Sequence, residues 1–204
     1  MRHGETALNV QKVMQGRIDE PLNENGRELA RLTGRGMTGI RFDHCISSPL
    51  MRAKETAAII LKETGNDIPI ELDERIHEIS FGIMEGKTLE EMGEEGVRLF
   101  RNPFLFSGFP RGERISDVCK RTQAFLKELI ARDDGKTYLV STHGCSLRAM
   151  VNYLKEDPSD FWGGHAPYNC SFTIIDSENG EAKIVGWDQV FMDESLVVDH
   201  YTMG

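Results

Sequence analysis

Apolar residues along this chain fall into a few short, regular groups separated by polar stretches. Leu29, Ala30 and Leu32, with charges between them, predict a helix over residues 24 to about 35. Asn23 is placed to cap it, and Gly34 and Gly36 weaken its end. Residues 42–48 read as a short buried strand of the parallel kind. Pro49 opens a helix over residues 50–64, as proline does in a first turn. Residues 68–72 are a second candidate strand. Val118, Phe125, Leu126, Leu129 and Ile130 recur at helical spacing and give a core-facing helix over 116–132. After the turn Asp133-Asp134-Gly135, residues 138–140 are a buried strand, and a helix follows from about 146 to 154. Residues 172–176 and 182–186 form a hairpin around Asn179-Gly180.

Residues 88–112 have the least regular pattern. Helical pieces around 89–101 give way to Asn102-Pro103, and Phe100, Phe104, Phe106 and Phe109 follow one another closely. This stretch is either a lid or specificity insertion over an active-site mouth, or a small satellite core. The tail over 187–204 carries no readable chemistry.

At 204 residues the chain is long enough for one full core, so residues 1–204 are read as one domain. Hydrophobic residues make up 39% and charged residues 28%, an ordinary globular balance. A net charge of −9 argues against a nucleic-acid binder. There is no run of apolar residues long enough to span a membrane, and no signal peptide is visible. Cys45, Cys119, Cys145 and Cys170 form no C-x-x-C pair, which favours reduced thiols and a cytoplasmic protein. Cys145 follows His143 closely and is read as a bystander.

The candidate chemistry begins at Arg2-His3-Gly4. Arginine can fork two N–H donors onto phosphate oxygens, and histidine offers a nucleophilic ring nitrogen near neutral pH. Gly4 allows a backbone to approach a ligand closely. Three more segments share this character: Arg52 at the start of a helix after Ser47-Ser48-Pro49, Glu78 in Glu74-Arg75-Ile76-His77-Glu78, and His143 in Ser141-Thr142-His143-Gly144. A helix N-terminus favours anions, so Arg52 can serve one phosphate together with that end. His143 stands just past a parallel strand, where open α/β sheets place their ligands.

Taken together, these motifs resemble the histidine phosphatase superfamily, in its phosphoglycerate mutase-like, phosphatase branch. The resemblance runs from Arg2 to about Thr173. It implies an α/β three-layer sandwich with a mostly parallel central sheet flanked by helices. It also implies that an apolar strand precedes Arg2, where this sequence has only Met1, so a longer upstream chain is expected. By the same resemblance, His3 is the nucleophile that forms a phosphohistidine, and Arg2, Arg52 and His143 stabilise the phosphoryl oxygens. Glu78 takes the place of the proton donor, ahead of its neighbours Glu74 and Glu85. Gly4, Asn9, Gln15, Gly16 and Gly144 join Arg2, Arg52 and His143 in holding phosphate or substrate. Met84 stands where relatives often carry tryptophan.

The activity so implied is a metal-independent phosphomonoesterase acting on small phosphorylated metabolites, with no cofactor. Expected partners are a small phosphorylated substrate or inorganic phosphate, not nucleic acid or membrane, for a monomer or homodimer. A phosphoglycerate mutase passing through the same intermediate is the second reading. Such mutases carry Glu-Arg-His-Tyr-Gly around the acid, whereas this chain has Glu78-Ile79-Ser80-Phe81-Gly82. The third reading is a non-catalytic phosphate- or phosphoprotein-binding module.

Overall fold

The computed structural model describes residues 1–201. Just after Arg2-His3-Gly4, Thr6 and Asn9 cap each other across a single helical turn, α1 (Ala7–Val10). A two-residue strand, β1 (Val13–Met14), follows. Helix α2 (Glu24–Gly36) is capped by Asn23, whose side chain accepts from Gly26 N. Its two late glycines are explained by packing. A Cβ on Gly34 would stand 2.6 Å from Glu63 of the next helix, and one on Gly36 would stand 1.6 Å from the Phe191 carbonyl.

The expected strand over 42–48 is shorter than its apolar run, β2 (His44–Ser47), because Phe42 N is taken by the Asn66 side chain instead of a neighbouring strand. Helix α3 (Met51–Thr64) begins one residue later than expected, with Leu50 as its cap and Pro49 just outside. Strand β3 (Ile70–Leu72) and a short strand β4 (Lys87–Thr88) come next, and β4 pairs antiparallel with β1. Within the irregular stretch only α4 (Gly93–Arg101) is α-helical, with a 3-10 turn at Pro103–Leu105. Helix α5 (Ile115–Arg132) matches its apolar period, and strand β5 (Tyr138–Ser141) follows. Helix α6 (Gly144–Val151) starts directly after His143, two residues before the expected start. The chain then makes the hairpin β6 (Phe172–Glu178) and β7 (Glu181–Gln189). Asn179 and Gly180 both take positive φ, 55° and 77°, as a two-residue hairpin turn requires.

Strands β3, β2 and β5 form a parallel sheet in that order. Alternate residues face opposite layers. Cys45 and Leu139 pack with Ala57, Ile60 and Leu61 of α3, while Ile46 and Val140 pack with Phe125 and Leu126 of α5 and Met150 of α6. The result is a parallel sheet with helices on both faces, as the resemblance implied. Met1–His3 extend this sheet by one bridge, Arg2 lying parallel to Thr142. Arg2 N also donates to Ser171 O at 3.0 Å, and Cys170 N to Arg2 O at 3.2 Å, so the same segment ties the hairpin to the sheet. Consequently the carboxyl ends of β2 and β5, the start of the chain and the N-termini of α3 and α6 meet at one place.

Candidate active site

His3 leaves the sheet at this meeting point and is 3% exposed. Its Nδ1 lies 2.6 Å from Gly4 O, and a carbonyl can only accept, so Nδ1 carries the proton. Arg52 Nε–H donates to the other nitrogen, Nε2, at 3.2 Å. The ring is therefore neutral, with its lone pair on Nε2. Burial, then Arg52, then Arg2, hold His3 well below the usual imidazole range.

Arg52 projects from the first turn of α3, as expected, and is 1% exposed. Its remaining nitrogens donate to Ile18 O and Gly16 O at 2.7 and 2.8 Å, which fixes the loop that carries Gln15 and Gly16. Burial lowers its guanidinium to about 10, so it remains cationic at neutral pH. Arg2 donates to Pro167 O, while its Nε is buried without a partner.

His143 caps α6 and lies with its ring centroid 5.2 Å from that of His3. Its Nε2 is 2.8 Å from Ser48 Oγ, and its Nδ1 is buried without a partner. Burial, Arg52 and His3 hold His143 well below the ordinary histidine range. An unpaired buried polar atom costs about 1–3 kcal/mol. An anion accepting from Arg2 Nε and from a protonated His143 Nδ1 would relieve that cost.

The acid segment sorts itself by contacts. Glu74 is an exposed side chain that, among the described residues, reaches only His77. Glu85 Oε1 accepts from Arg17 N, Ser80 Oγ and Phe81 N, so it fastens the turn after the acid. Glu78 alone of the three lines the cavity that holds His3, Arg2 and Arg52. Its Oε1 accepts from Ile79 N at 2.9 Å and Ser146 N at 3.0 Å, and its Oε2 from Cys145 N at 3.2 Å. A carboxyl seated on the first N–H groups of α6 is held in one orientation.

The expected binding residues divide. Asn9, Gln15, Gly16 and Gly144 line the same cavity, and Gln15 Oε1 is buried without a partner. Gly4 does not line it. Its N–H donates to Thr56 Oγ1 at 2.9 Å, and a Cβ there would stand 2.6 Å from Gly26 O. That position is glycine because the start of α2 presses against it, not because a ligand approaches. His143 sits just behind the lining, against His3. Cys145 lines the cavity, but burial pushes its thiol well above the ordinary range, so it stays protonated, as a bystander would. Among the described residues no three His, Cys, Asp or Glu side chains converge as a metal cluster.

Sequence reasoning missed several contributors. Arg121 on α5 donates to the carbonyls of Arg75, His77 and Glu78 and pairs with Glu113, so it holds the backbone that carries Glu78. Asn169, unlike these, is expected near the site from its place just before the hairpin, and it donates to His3 O at 2.9 Å, next to Cys170 in a left-handed conformation with φ 60°. Trp162 and Tyr201 line the cavity. Of the four phenylalanines in the irregular stretch, only Phe100 lines it. Phe106 is core, Phe109 packs edge-on against Phe106, and Phe104 is half exposed against Phe161. Apart from Asn169, no local pattern marks any of these residues beyond their type.

The buried neutral histidines make stability depend on pH. In the unfolded chain each takes a proton near pH 6.5, while in the folded chain both stay neutral to lower pH. The unfolded state then binds more protons, so stability falls as pH drops below about 6.5, by up to about 1.4 kcal/mol per pH unit for each group. Above about pH 7.5 the pair contributes no slope. Melting temperature in phosphate-free buffer should drop by several degrees between pH 7 and 5, less steeply in His143→Gln. A flat profile in the wild type would show that the histidines are not buried neutral.

Comparison with known proteins shows the family and the fold. The chain is 30% identical over 190 residues to the probable phosphoglycerate mutase GpmB of Salmonella arizonae, covering 92% of this chain and 87% of that protein. Its structure is similar to that of Bacillus stearothermophilus YhfR, with a TM-score of 0.85 and 35% identity over 93% of this chain and 95% of that one. It is also similar to a phosphoserine phosphatase from Entamoeba histolytica, with a TM-score of 0.77 and 28% identity over 92% and 93% of the two chains. Residues 1–190 match branch 1 of the histidine phosphatase superfamily, and the chain belongs to that family.

Proposed function

We propose that this chain hydrolyses phosphomonoesters of small metabolites through a phosphohistidine on His3, without a metal ion. The observation that carries the reading is the neutral His3, its Nδ1–H held by Gly4 O, in one cavity with Arg2, Arg52 and Glu78. Nε2 attacks phosphorus, the bond from phosphorus to the alcohol oxygen breaks, and Glu78 gives its proton to that oxygen. Arg2, Arg52 and His143 Nδ1–H hold the phosphoryl oxygens through the transition state. Water then attacks phosphorus, its proton goes to Glu78, the P–N bond breaks, and inorganic phosphate leaves. Positive charge on two guanidiniums does the work that a metal ion does in many other phosphoryl-transfer sites.

The name of the Salmonella relative supports a second reading, a mutase that returns the phosphoryl group to an organic acceptor. One experiment separates the two. Aryl phosphate and a panel of phosphorylated metabolites are assayed for released phosphate with excess chelator present. Phosphate release unaffected by chelator supports the hydrolase. Interconversion of phosphoglycerates without release favours the mutase, and release that chelator abolishes refutes the metal-free reading. Tight phosphate binding with no turnover of any ester would leave only a binding module.

A further inference from the structure

The lining of the cavity is of two chemical kinds. Arg2, Arg52, Asn9 and Gln15 supply polar groups. Met14, Phe81, Phe100, Trp162 and Tyr201 supply apolar and aromatic surface. Among the described lining residues Arg2 and Arg52 are the only Lys or Arg, and the proposed reaction assigns both to the phosphoryl group. A second anionic group on the substrate would have no further cation of the lining to meet, and its burial there would be costly.

Three of these side chains form an aromatic wall. Phe100 lies nearly parallel to Trp162, with centroids 5.2 Å apart and planes 16° apart, and nearly parallel to Tyr201, at 6.4 Å and 18°. Trp162 Nε1–H donates to Leu99 O at 3.1 Å, which fixes the indole on α4. Tyr201 comes from the C-terminal tail, far from Phe100 in sequence. Its hydroxyl accepts from Asn9 Nδ2 at 3.1 Å, and the Arg2 guanidinium lies 5.5 Å from its ring centroid. It therefore touches both kinds of lining residue.

The tail is fastened where it matters. His200 Nε2 is 2.9 Å from Glu5 Oε2, with both side chains buried, and Glu5 Oε1 accepts from Asn23 at 2.8 Å and Asn25 at 3.0 Å. Glu5 follows Arg2-His3-Gly4 directly, so the segment that carries the nucleophile also anchors the residue before Tyr201.

We infer that Tyr201, anchored through His200 and Glu5, completes with Phe100 and Trp162 a subsite that selects phosphomonoesters of uncharged alcohols bearing a flat aromatic ring. This rests on the hydrolase reading above for its catalytic test but not for its binding test. Benzyl phosphate and ethyl phosphate both leave as primary alkoxides, so their ratio of kcat/KM reports the ring and not the leaving group. The wild type should favour benzyl phosphate by about tenfold or more, a ring against aromatic faces supplying that much. Tyr201→Ala should remove most of the ratio and Tyr201→Phe should keep it. His200→Ala should lower it with every ring of the wall still present.

Calorimetric titration with benzylphosphonate and ethylphosphonate, which cannot turn over, gives the same comparison without catalysis. A preserved ratio there with neither ester hydrolysed would sustain the subsite while removing the hydrolase reading. Equal affinity for the two phosphonates in the wild type, a ratio unchanged in Tyr201→Ala, or a preference for phosphoglycolate over benzyl phosphate would each overturn the inference.

Discussion

His3→Ala should lower turnover of every phosphomonoester by at least about 10^4-fold and abolish the acid-labile, alkali-stable phosphoryl label on the protein. The proposed route passes through a covalent bond to His3 Nε2, and no neighbour offers an equivalent atom. The nearest imidazole, His143, lies 5.2 Å away between ring centroids, and its Nε2 faces Ser48 Oγ at 2.8 Å rather than the cavity. The substitution also removes the acceptor of Arg52 Nε, so a change in fold must be kept apart from a change in chemistry. His3→Asn supplies that control, since its amide restores a polar partner for Arg52 without restoring a nucleophile. Both variants should keep a cooperative melting transition and lose the label. A label retained on another residue would show that His3 is not the nucleophile.

The helices were the most legible part of the chain because their apolar residues repeat with the turn. The period over Val118, Phe125 and Leu126 located α5 to within one residue of its observed start. Strands were legible as apolar runs but not in their bounds, since pairing and not composition ends a strand. Phe42 belongs to the apolar run of β2 but bonds to the Asn66 side chain, which no local pattern announces. The irregular stretch stayed ambiguous because a lid and a satellite core use the same residues. In the fold it does some of each, Phe100 lining the cavity while Phe106 is buried in the core beside Leu99.

The candidate site followed a similar division. Arg2, His3, Arg52, Glu78 and His143 stand in four motifs whose residue types already imply an anion, and the fold gathers them around one cavity. The choice of Glu78 over Glu74 and Glu85 depended on resemblance at the level of sequence, and in the fold Glu78 is the one of the three that lines the cavity, held by N–H groups of α6. Gly4 was misassigned because a glycine pressed by a helix and a glycine pressed by a ligand look alike in a sequence. Tyr201 and Arg121 were invisible for a different cause. Each acts alone across a large sequence separation, and a solitary tyrosine in a tail or arginine in a helix has no neighbour to mark it.

Glu78→Gln should lower kcat for alkyl phosphomonoesters by about 10^2- to 10^4-fold, and for aryl esters by less than about tenfold. An alkoxide is a poor leaving group without a proton, whereas a phenolate with an electron-withdrawing ring departs unaided. The substitution keeps the shape of the side chain but not its acceptors. Oε1 takes two N–H donors, from Ile79 and Ser146, and Oε2 takes one, from Cys145. The amide oxygen of glutamine will keep the pair of donors, which leaves its NH2 facing Cys145 N. That clash of donors costs about 1–3 kcal/mol and should lower the melting temperature by a few degrees. Such a loss of stability weighs on both ester classes alike, so the aryl ester serves as the control inside the same protein. Equal loss for the two classes would remove Glu78 as the proton donor and leave it a structural cap on α6.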